Sequence, residues 1–446
     1  MSVFTLTLDD GSGSTKQLIY DNSKSTLEWA DTKEPVLPVY ARKHWNAIMP
    51  DKKSDFGKKH SINVLKISLG LSCNYSCSYC SQRFEPNNTK SNLSQVDHLV
   101  SQILSLNLDI KRIEFWGGEP FVYWKAFKVL AEKLIKEFPE AVPTVITNGS
   151  LLDIEKNEWL DTLGFSVGIS HDGPGYHARG LDPLQLSLQR QAILDLYNRL
   201  HPKNRISINA MLHRSNQSRA SIQSWLENYF GKDIVIGEGG FVDAYSQDGL
   251  ASMLEDTETV KFRKRAFFEL KTGRATNFYN INQKVNDFIE SVEYARPSTA
   301  VGQKCGMDKP NKLAIDMEGN VLTCQNVSAA STAQNGQPHK LGHISDLASV
   351  RLTTSTHWSN RPHCSSCPVL QLCKGSCMFL EGEYWDASCN AAYSDNVAIL
   401  AYALYRMTGL TLVHIEGEGL PESRKNLWKH VEVDKPRKVI PIKQIG

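Results

Sequence analysis

Ten cysteines in a chain of 446 residues fall into two groups with none between them. Cys73, Cys77 and Cys80 come early; Cys305, Cys324, Cys364, Cys367, Cys373, Cys377 and Cys389 come late. Met1–Asp10 lacks the basic region and apolar core of a secretory signal, so the expected location is the cytoplasm. Clustered thiols there point to metal or redox chemistry rather than disulfides. Their segregation predicts two metal-bearing regions separated by a scaffold.

The rest of the composition narrows the partners. Fifty basic and 48 acidic residues leave a formal charge of +2, too balanced for nucleic acid or an anionic membrane to be the main partner. The longest strongly apolar run, Val397–Tyr405, is about half the ~20 residues that span a bilayer. A hydrophobic fraction of 41% is enough for a large core.

The pattern along the chain predicts an α/β fold. In residues 1–60, a β-rich preface, Phe4, Leu6 and Leu8 alternate with threonines and Lys16–Tyr20 returns as a hairpin. Residues 61–250 alternate strand and helix. Strands are read at Val64–Leu71, Arg112–Trp116, Thr144–Thr147, Gly164–Ser170, Ile206–Leu212 and Ile234–Ile236. Helices are read at Ser94–Leu106, Lys125–Phe138, Leu184–Leu200 and Ile222–Phe230, the first with apolar Val96, Leu99, Val100 and Ile103. Six strands separated by helices predict a parallel sheet curled into a partial barrel, with functional groups at its C-terminal strand ends. A helical linker at 251–304, a turn-rich cysteine domain at 305–400 and a charged tail at 401–446 complete the reading.

The early cysteines read Cys-x3-Cys-x2-Cys directly after the first strand. A four-iron cluster normally takes four cysteines, so three leave one iron open to an outside ligand. The alternative is structural zinc, which needs a fourth Cys or His nearby. His60 is far upstream and His98 sits in a predicted helix. The spacing, with Tyr79 before the last cysteine, resembles the radical S-adenosylmethionine (SAM) superfamily. Three further segments extend the resemblance. Phe115-Trp-Gly-Gly-Glu-Pro120 is similar to the family's Gly-Gly-Glu-Pro motif, Thr147-Asn-Gly149 ends the third strand, and Ser170-His-Asp-Gly-Pro174 ends the fourth. The resemblance implies that Cys73, Cys77 and Cys80 hold a 4Fe–4S cluster whose open iron binds SAM. It implies SAM contacts from Tyr79, Gly117, Gly118, Glu119, Asn148, Ser170, Asp172 and Arg179. His171 reads as structural; Asn209 and Met211 are candidates to flank the adenine.

The late group reads Cys305-x18-Cys324, then Cys364-x2-Cys367-x5-Cys373-x3-Cys377-x11-Cys389. It resembles the SPASM domain of radical SAM enzymes that mature peptides and proteins. The resemblance implies two auxiliary 4Fe–4S clusters with interleaved ligands: Cys364, Cys367, Cys373 and Cys389 for one, and Cys305, Cys324 and Cys377 for the other. An eighth cysteine present in some relatives is missing from Gly306–Asn311. Gln325 stands where sulfatase-maturing relatives carry an aspartate base, and a neutral amide cannot act as one. A zinc ribbon at Cys364 and Cys367, with His363 nearby, is the alternative for this region.

The expected function is therefore a peptide maturase. It cleaves SAM and uses the 5′-deoxyadenosyl radical to take hydrogen from a ribosomally made peptide, forming a cross-link or similar bond. The alternatives are a radical dehydrogenase acting on a protein residue or a small molecule, and a zinc-stabilised binding protein. Expected partners are a peptide or protein substrate and an external electron donor of flavodoxin or ferredoxin type. Substrate delivery is assigned either to strand addition at the preface hairpin or to a separate leader-binding protein.

Overall fold

The computed structural model describes residues 2–40, 45–47, 62–86, 93–231, 234–351 and 356–429. His60 and the charged tail beyond Lys429 lie outside the described residues. Two sheets organise the fold. The larger has eight strands in the order β11-β10-β9-β4-β5-β6-β7-β8. Its parallel part is β4 (Val64–Ser68), β5 (Arg112–Trp116), β6 (Val142–Thr147), β7 (Ser166–Ser170) and β8 (Ile206–Asn209). Helices α1 (Leu93–Ser105), α2 (Trp124–Glu137), α3 (Ile154–Thr162), α4 (Ser187–Leu200) and α5 (Arg219–Phe230) alternate with these strands, giving the α/β partial barrel. Helix α1 buries Val96, Leu99, Val100 and Ile103, the four positions that its periodicity marks.

The sixth expected strand, Ile234–Ile236, is reduced to single bridges, from Ile236 to Ile208 and to Phe278. The glycines just after it account for this. Gly237 lies against Asn209 and Ser207, and Gly239 against Phe278, so the chain turns along the sheet edge rather than extending.

The late cysteine region is stitched into the same sheet. Strand β9 (Lys312–Asp316) pairs parallel to β4, residue for residue from Val64↔Lys312 to Ser68↔Asp316. Strands β10 (Asn320–Leu322) and β11 (Lys340–His343) follow antiparallel. Cys305 thus precedes β9, Cys324 follows β10, and both lie next to the strand that leads into Cys73.

Between the two cysteine regions run α6 (Gln247–Ala251), α7 (Asp256–Lys271) and α8 (Tyr279–Glu293). They are not a free linker: α7 and α8 pack along α10 (Gly382–Thr408). Helix α10 buries residues on every side from Ser388 to Leu404, as a helix in the centre of a large core must. It begins after the short α9 (Leu370–Cys373) and carries Cys389.

The preface hairpin forms as its alternation predicts. Strand β1 (Val3–Asp9) pairs with β2 (Thr15–Asp21), and β2 with β3 (Thr26–Trp29). The fourth strand of this sheet is β12 (Thr411–Gly417), which pairs with β1. Residues 401–417, expected as part of a tail, are therefore the end of α10 and a sheet strand. After β12 comes a short helix, α11 (Glu422–Lys425). Both edges of this sheet are covered: Val36 donates to Leu27 beyond β3, and Leu427 to Val413 beyond β12. No helix among the described residues is long and apolar enough to cross a membrane.

Candidate active site

The C-terminal ends of β4 to β7 open onto a cavity of about 530 Å³. Its wall includes Cys73, Cys77, Cys80, Tyr79, Gly117, Gly118, Glu119, Asn148, Ser170 and Arg179, brought from four strand ends. Of the expected cofactor contacts only Asp172 is missing from this wall.

Local packing explains how the wall is built. A Cβ on Gly118 would lie 2.3 Å from the Ser72 carbonyl oxygen, and one on Gly117 would lie 2.6 Å from that of Gly70. The two glycines therefore let the β5 loop lie against the backbone that launches the cysteine loop. The amides of Gly118 and Glu119 donate to Gly70 and Ser72, closing the contact. The Glu119 carboxylate is buried and accepts from Thr147 Oγ1 and the Asn148 amide, both at 2.7 Å, and from the Phe121 amide. Burial raises its pKa, with these three donors pulling the other way. Glu119 thus ties the ends of β5 and β6 together while one side stays open to the cavity.

Asp172 has a different place from the one expected. It is wholly buried behind the cavity, where it accepts from Tyr79 Oη and the Met211 amide, with Arg179 Nη1 3.8 Å away. Arg179 also donates to Tyr79 Oη at 2.9 Å. Asp172 acts through Tyr79 and Arg179, holding both at the cavity wall. Burial works against the Arg179 charge, and the neighbouring Asp172 carboxylate favours it. His171 is structural, as expected: the Gly173 amide donates to Nδ1, which leaves Nε2 to donate to Asp182 at 2.9 Å. Met211 lines the cavity, whereas Asn209 is turned into the sheet over Gly168.

The ten thiols act on one another in three sets. Cys77 feels Cys73 and Cys80. Cys364 feels Cys367, Cys373 and Cys389. Cys324 feels Cys305 and Cys377. Burial and the neighbouring thiols push Cys324 up to about 12, and burial pushes Cys77 up to about 11. The four-thiol set faces a second cavity, of about 1020 Å³, with Arg361 and Arg424 in its wall. Among the described residues no three His, Cys, Asp or Glu side chains converge on one ion-sized point.

Several cavity residues carry no motif signal. Asp243, Tyr245, Lys304 and Asn326 complete the wall, Asn326 accepting from Gln82 just past Cys80. Tyr245 hydrogen-bonds to the Cys377 thiol, so one side chain separates the cavity from the three-thiol late set. Asp243 accepts from Ser376 Oγ. Gln325 does not line the cavity. The carboxylate that its position lacks is present on Asp243, from a different segment.

Parallel strands opening onto a thiol-lined cavity, with further thiols packed behind, define an enzyme built for iron–sulfur chemistry. Residues 67–214 match the model of the Radical SAM superfamily. A radical SAM cyclopropyl synthase, TigE, from Paramaledivibacter caminithermalis is 21% identical over 388 residues, covering 77% of this chain and 73% of TigE. The putative peptide biosynthesis protein YydG of Bacillus subtilis is 28% identical over 178 residues, 38% of this chain and 53% of YydG. The fold is similar to that of native anSMEcpe with bound AdoMet and Kp18Cys peptide, with a TM-score of 0.55 at 20% identity, covering 78% of this chain and 98% of that one. Residues 67–214 thus form a radical SAM domain, which implies SAM and a 4Fe–4S cluster as cofactors, and a cysteine-rich region follows it in the chain.

Proposed function

We propose that this enzyme is a peptide maturase that carries three 4Fe–4S clusters and forms a cross-link or similar bond in a ribosomally made peptide. The observation that carries the reading is the place of Cys73, Cys77 and Cys80 in the wall of the strand-end cavity, with Cys364, Cys367, Cys373 and Cys389 on a second cavity. Cys73, Cys77 and Cys80 would hold the first cluster, in the cavity wall. Cys305, Cys324 and Cys377 would hold the second, behind Tyr245, and Cys364, Cys367, Cys373 and Cys389 the third. With the first cluster and an external electron donor, SAM cleavage supplies a 5′-deoxyadenosyl radical that takes hydrogen from the substrate.

The chain's own residues position the reactants. Arg179, fixed by Tyr79 and Asp172, presents a guanidinium suited to the SAM carboxylate. Glu119, with its open side to the cavity, suits the SAM amino group, and Asn148 and Ser170 suit its remaining polar edge. Asp243 and Lys304 share the cavity wall with these groups and are placed to meet the substrate. A peptide substrate is supported by the relatives: YydG is a putative peptide biosynthesis protein and anSMEcpe was solved with a peptide.

One observation favours a second reading, a dehydrogenase of a protein residue. Asp243 supplies the cavity with a carboxylate that Gln325 does not, so a base for aldehyde formation is available.

Anaerobically prepared protein should bind on the order of ~10–12 irons per chain and release 5′-deoxyadenosine from SAM with dithionite. Cys73→Ala, Cys77→Ala or Cys80→Ala should abolish that release; a wild-type rate in any of them would overturn the site assignment. Mass spectrometry on a precursor encoded beside the enzyme's gene separates the two readings. A bridged segment resisting fragmentation supports the maturase, and a linear aldehyde the dehydrogenase.

A further inference from the structure

The set Cys305, Cys324 and Cys377 has three thiols, and the eighth cysteine of some relatives is absent from Gly306–Asn311. A four-iron cluster there would have one iron without a thiolate. The structure places one other donor in that stretch. Asp308 follows Cys305 by three residues, is wholly buried, and is a charge that acts on the Cys305 thiol.

The two oxygens of Asp308 differ. Oδ2 accepts from the Gln303 amide at 2.8 Å and from His357 Nε2 at 3.3 Å. Oδ1 is buried and has no hydrogen-bond partner among the described residues. A buried carboxylate oxygen without a partner is costly and marks a place where a missing cation or water completes the site. Ligating carboxylates are characteristically held in this way, one oxygen fixed by donors and the other free for the metal.

The surroundings orient the free oxygen. Gln303 donates through its side chain to the Ser376 carbonyl, one residue before Cys377. The Gly306 amide donates to Gln303 O, and Gly306 adopts φ +67°, so the chain reverses between Cys305 and Asp308. Gln303, Cys305, Asp308 and Ser376 thus form one knot. Its donors occupy Oδ2, on the side of His357 and Gln303. Oδ1 takes no donor from this knot.

We infer that Asp308 Oδ1 is the fourth protein ligand of the auxiliary cluster held by Cys305, Cys324 and Cys377, with His357 and the Gln303 amide fixing the carboxylate. This rests on the reading that the late cysteines hold clusters. A carboxylate-ligated iron leaves no open coordination position there for substrate. Substrate then meets Asp243, Tyr245 and Lys304 in the cavity rather than an auxiliary iron.

The test uses the full chain carrying Cys73→Ala, Cys77→Ala and Cys80→Ala, produced with 13C-carboxyl aspartate and loaded anaerobically with 57Fe and sulfide. Electron-nuclear double resonance on the reduced protein should show a 13C coupling to a cluster. The coupling should vanish in Asp308→Cys, which keeps its iron because a thiolate replaces the carboxylate. Auxiliary iron without any 13C coupling, or a coupling unchanged in Asp308→Cys, would overturn the assignment. No auxiliary iron at all would overturn the cluster reading of the late cysteines, and this proposal with it. The first measurement needs no change at Asp308, so it stands even if Asp308→Asn or Asp308→Cys fails to fold.

Discussion

Arg424 Nη2 donates to the Cys389 thiol at 3.3 Å, although Arg424 lies beyond the sheet strand that follows Cys389's own helix. Its guanidinium also stacks over the Tyr393 ring at 4.6 Å, and its carbonyl accepts from Tyr393 Oη. Burial opposes the charge, but the Cys389 and Cys367 charges more than compensate and raise its pKa. A cation therefore sits against the four-thiol set.

Hydrogen bonds and charge beside cluster sulfurs set reduction potentials. Arg424→Gln should move the potential of the Cys364, Cys367, Cys373 and Cys389 cluster to the negative, on the order of 60 mV, a tenfold change for a one-electron couple. An electron paramagnetic resonance redox titration reads this directly. An unmoved potential would show that the guanidinium does not act on the cluster.

Cys367→Ala and Cys373→Ala should damage folding as well as chemistry. Both thiols lie on the short turns before α10, where metal binding and folding are coupled. Iron content and soluble yield should fall together. A soluble variant with full iron would count against the ligand set.

Tyr79→Phe removes the hydroxyl that donates to Asp172 and accepts from Arg179. Leaving these buried groups without it should cost about 1–3 kcal/mol of stability. With Arg179 less firmly held, SAM affinity should also drop. Thermal denaturation and equilibrium SAM binding on the iron-loaded protein check the two effects; no change in either would remove Tyr79 from the positioning role.

His213 stacks on Tyr79 with ring centroids 5.8 Å apart and is almost fully buried. Burial holds its imidazole below the usual 6.5, helped by Arg179 and opposed by Asp172. The folded chain therefore takes up this proton less readily than the unfolded one. The His213 contribution to stability is complete above pH 6.5 and is lost as pH falls through the lower folded value. Wild type should lose more stability than His213→Asn between pH 7.5 and pH 5. Equal losses would show that His213 carries none of the acid sensitivity.

The first thiol set and its cavity were legible because their residues sit in short motifs at strand ends. Each motif needs only local geometry: a strand, a turn and a polar tip. The ligand grouping of the late thiols was legible only through resemblance, since Cys377 lies between Cys373 and Cys389 in sequence yet joins Cys305 and Cys324 in space. Asp243, Tyr245 and Lys304 were not legible, because they reach the cavity by the packing of irregular segments that carry no periodicity. The displacement of Asp172 behind Tyr79 is a burial effect, which a motif match does not register. The pairing of β9 with β4 also had no local signal, since its partners are about 250 residues apart.

Strand β1 is made on the ribosome well before its partner β12, with most of the described chain between them. Until Thr411–Gly417 emerges, β1 presents an unpaired edge bearing Phe4, Leu6 and Leu8. Such an edge invites pairing with another chain. Losing β12 through a premature stop should therefore yield aggregation-prone material even with all ten cysteines present. The segment that buries the edge is followed shortly by Arg424, so closure of this sheet and shielding of the four-thiol set come together in synthesis.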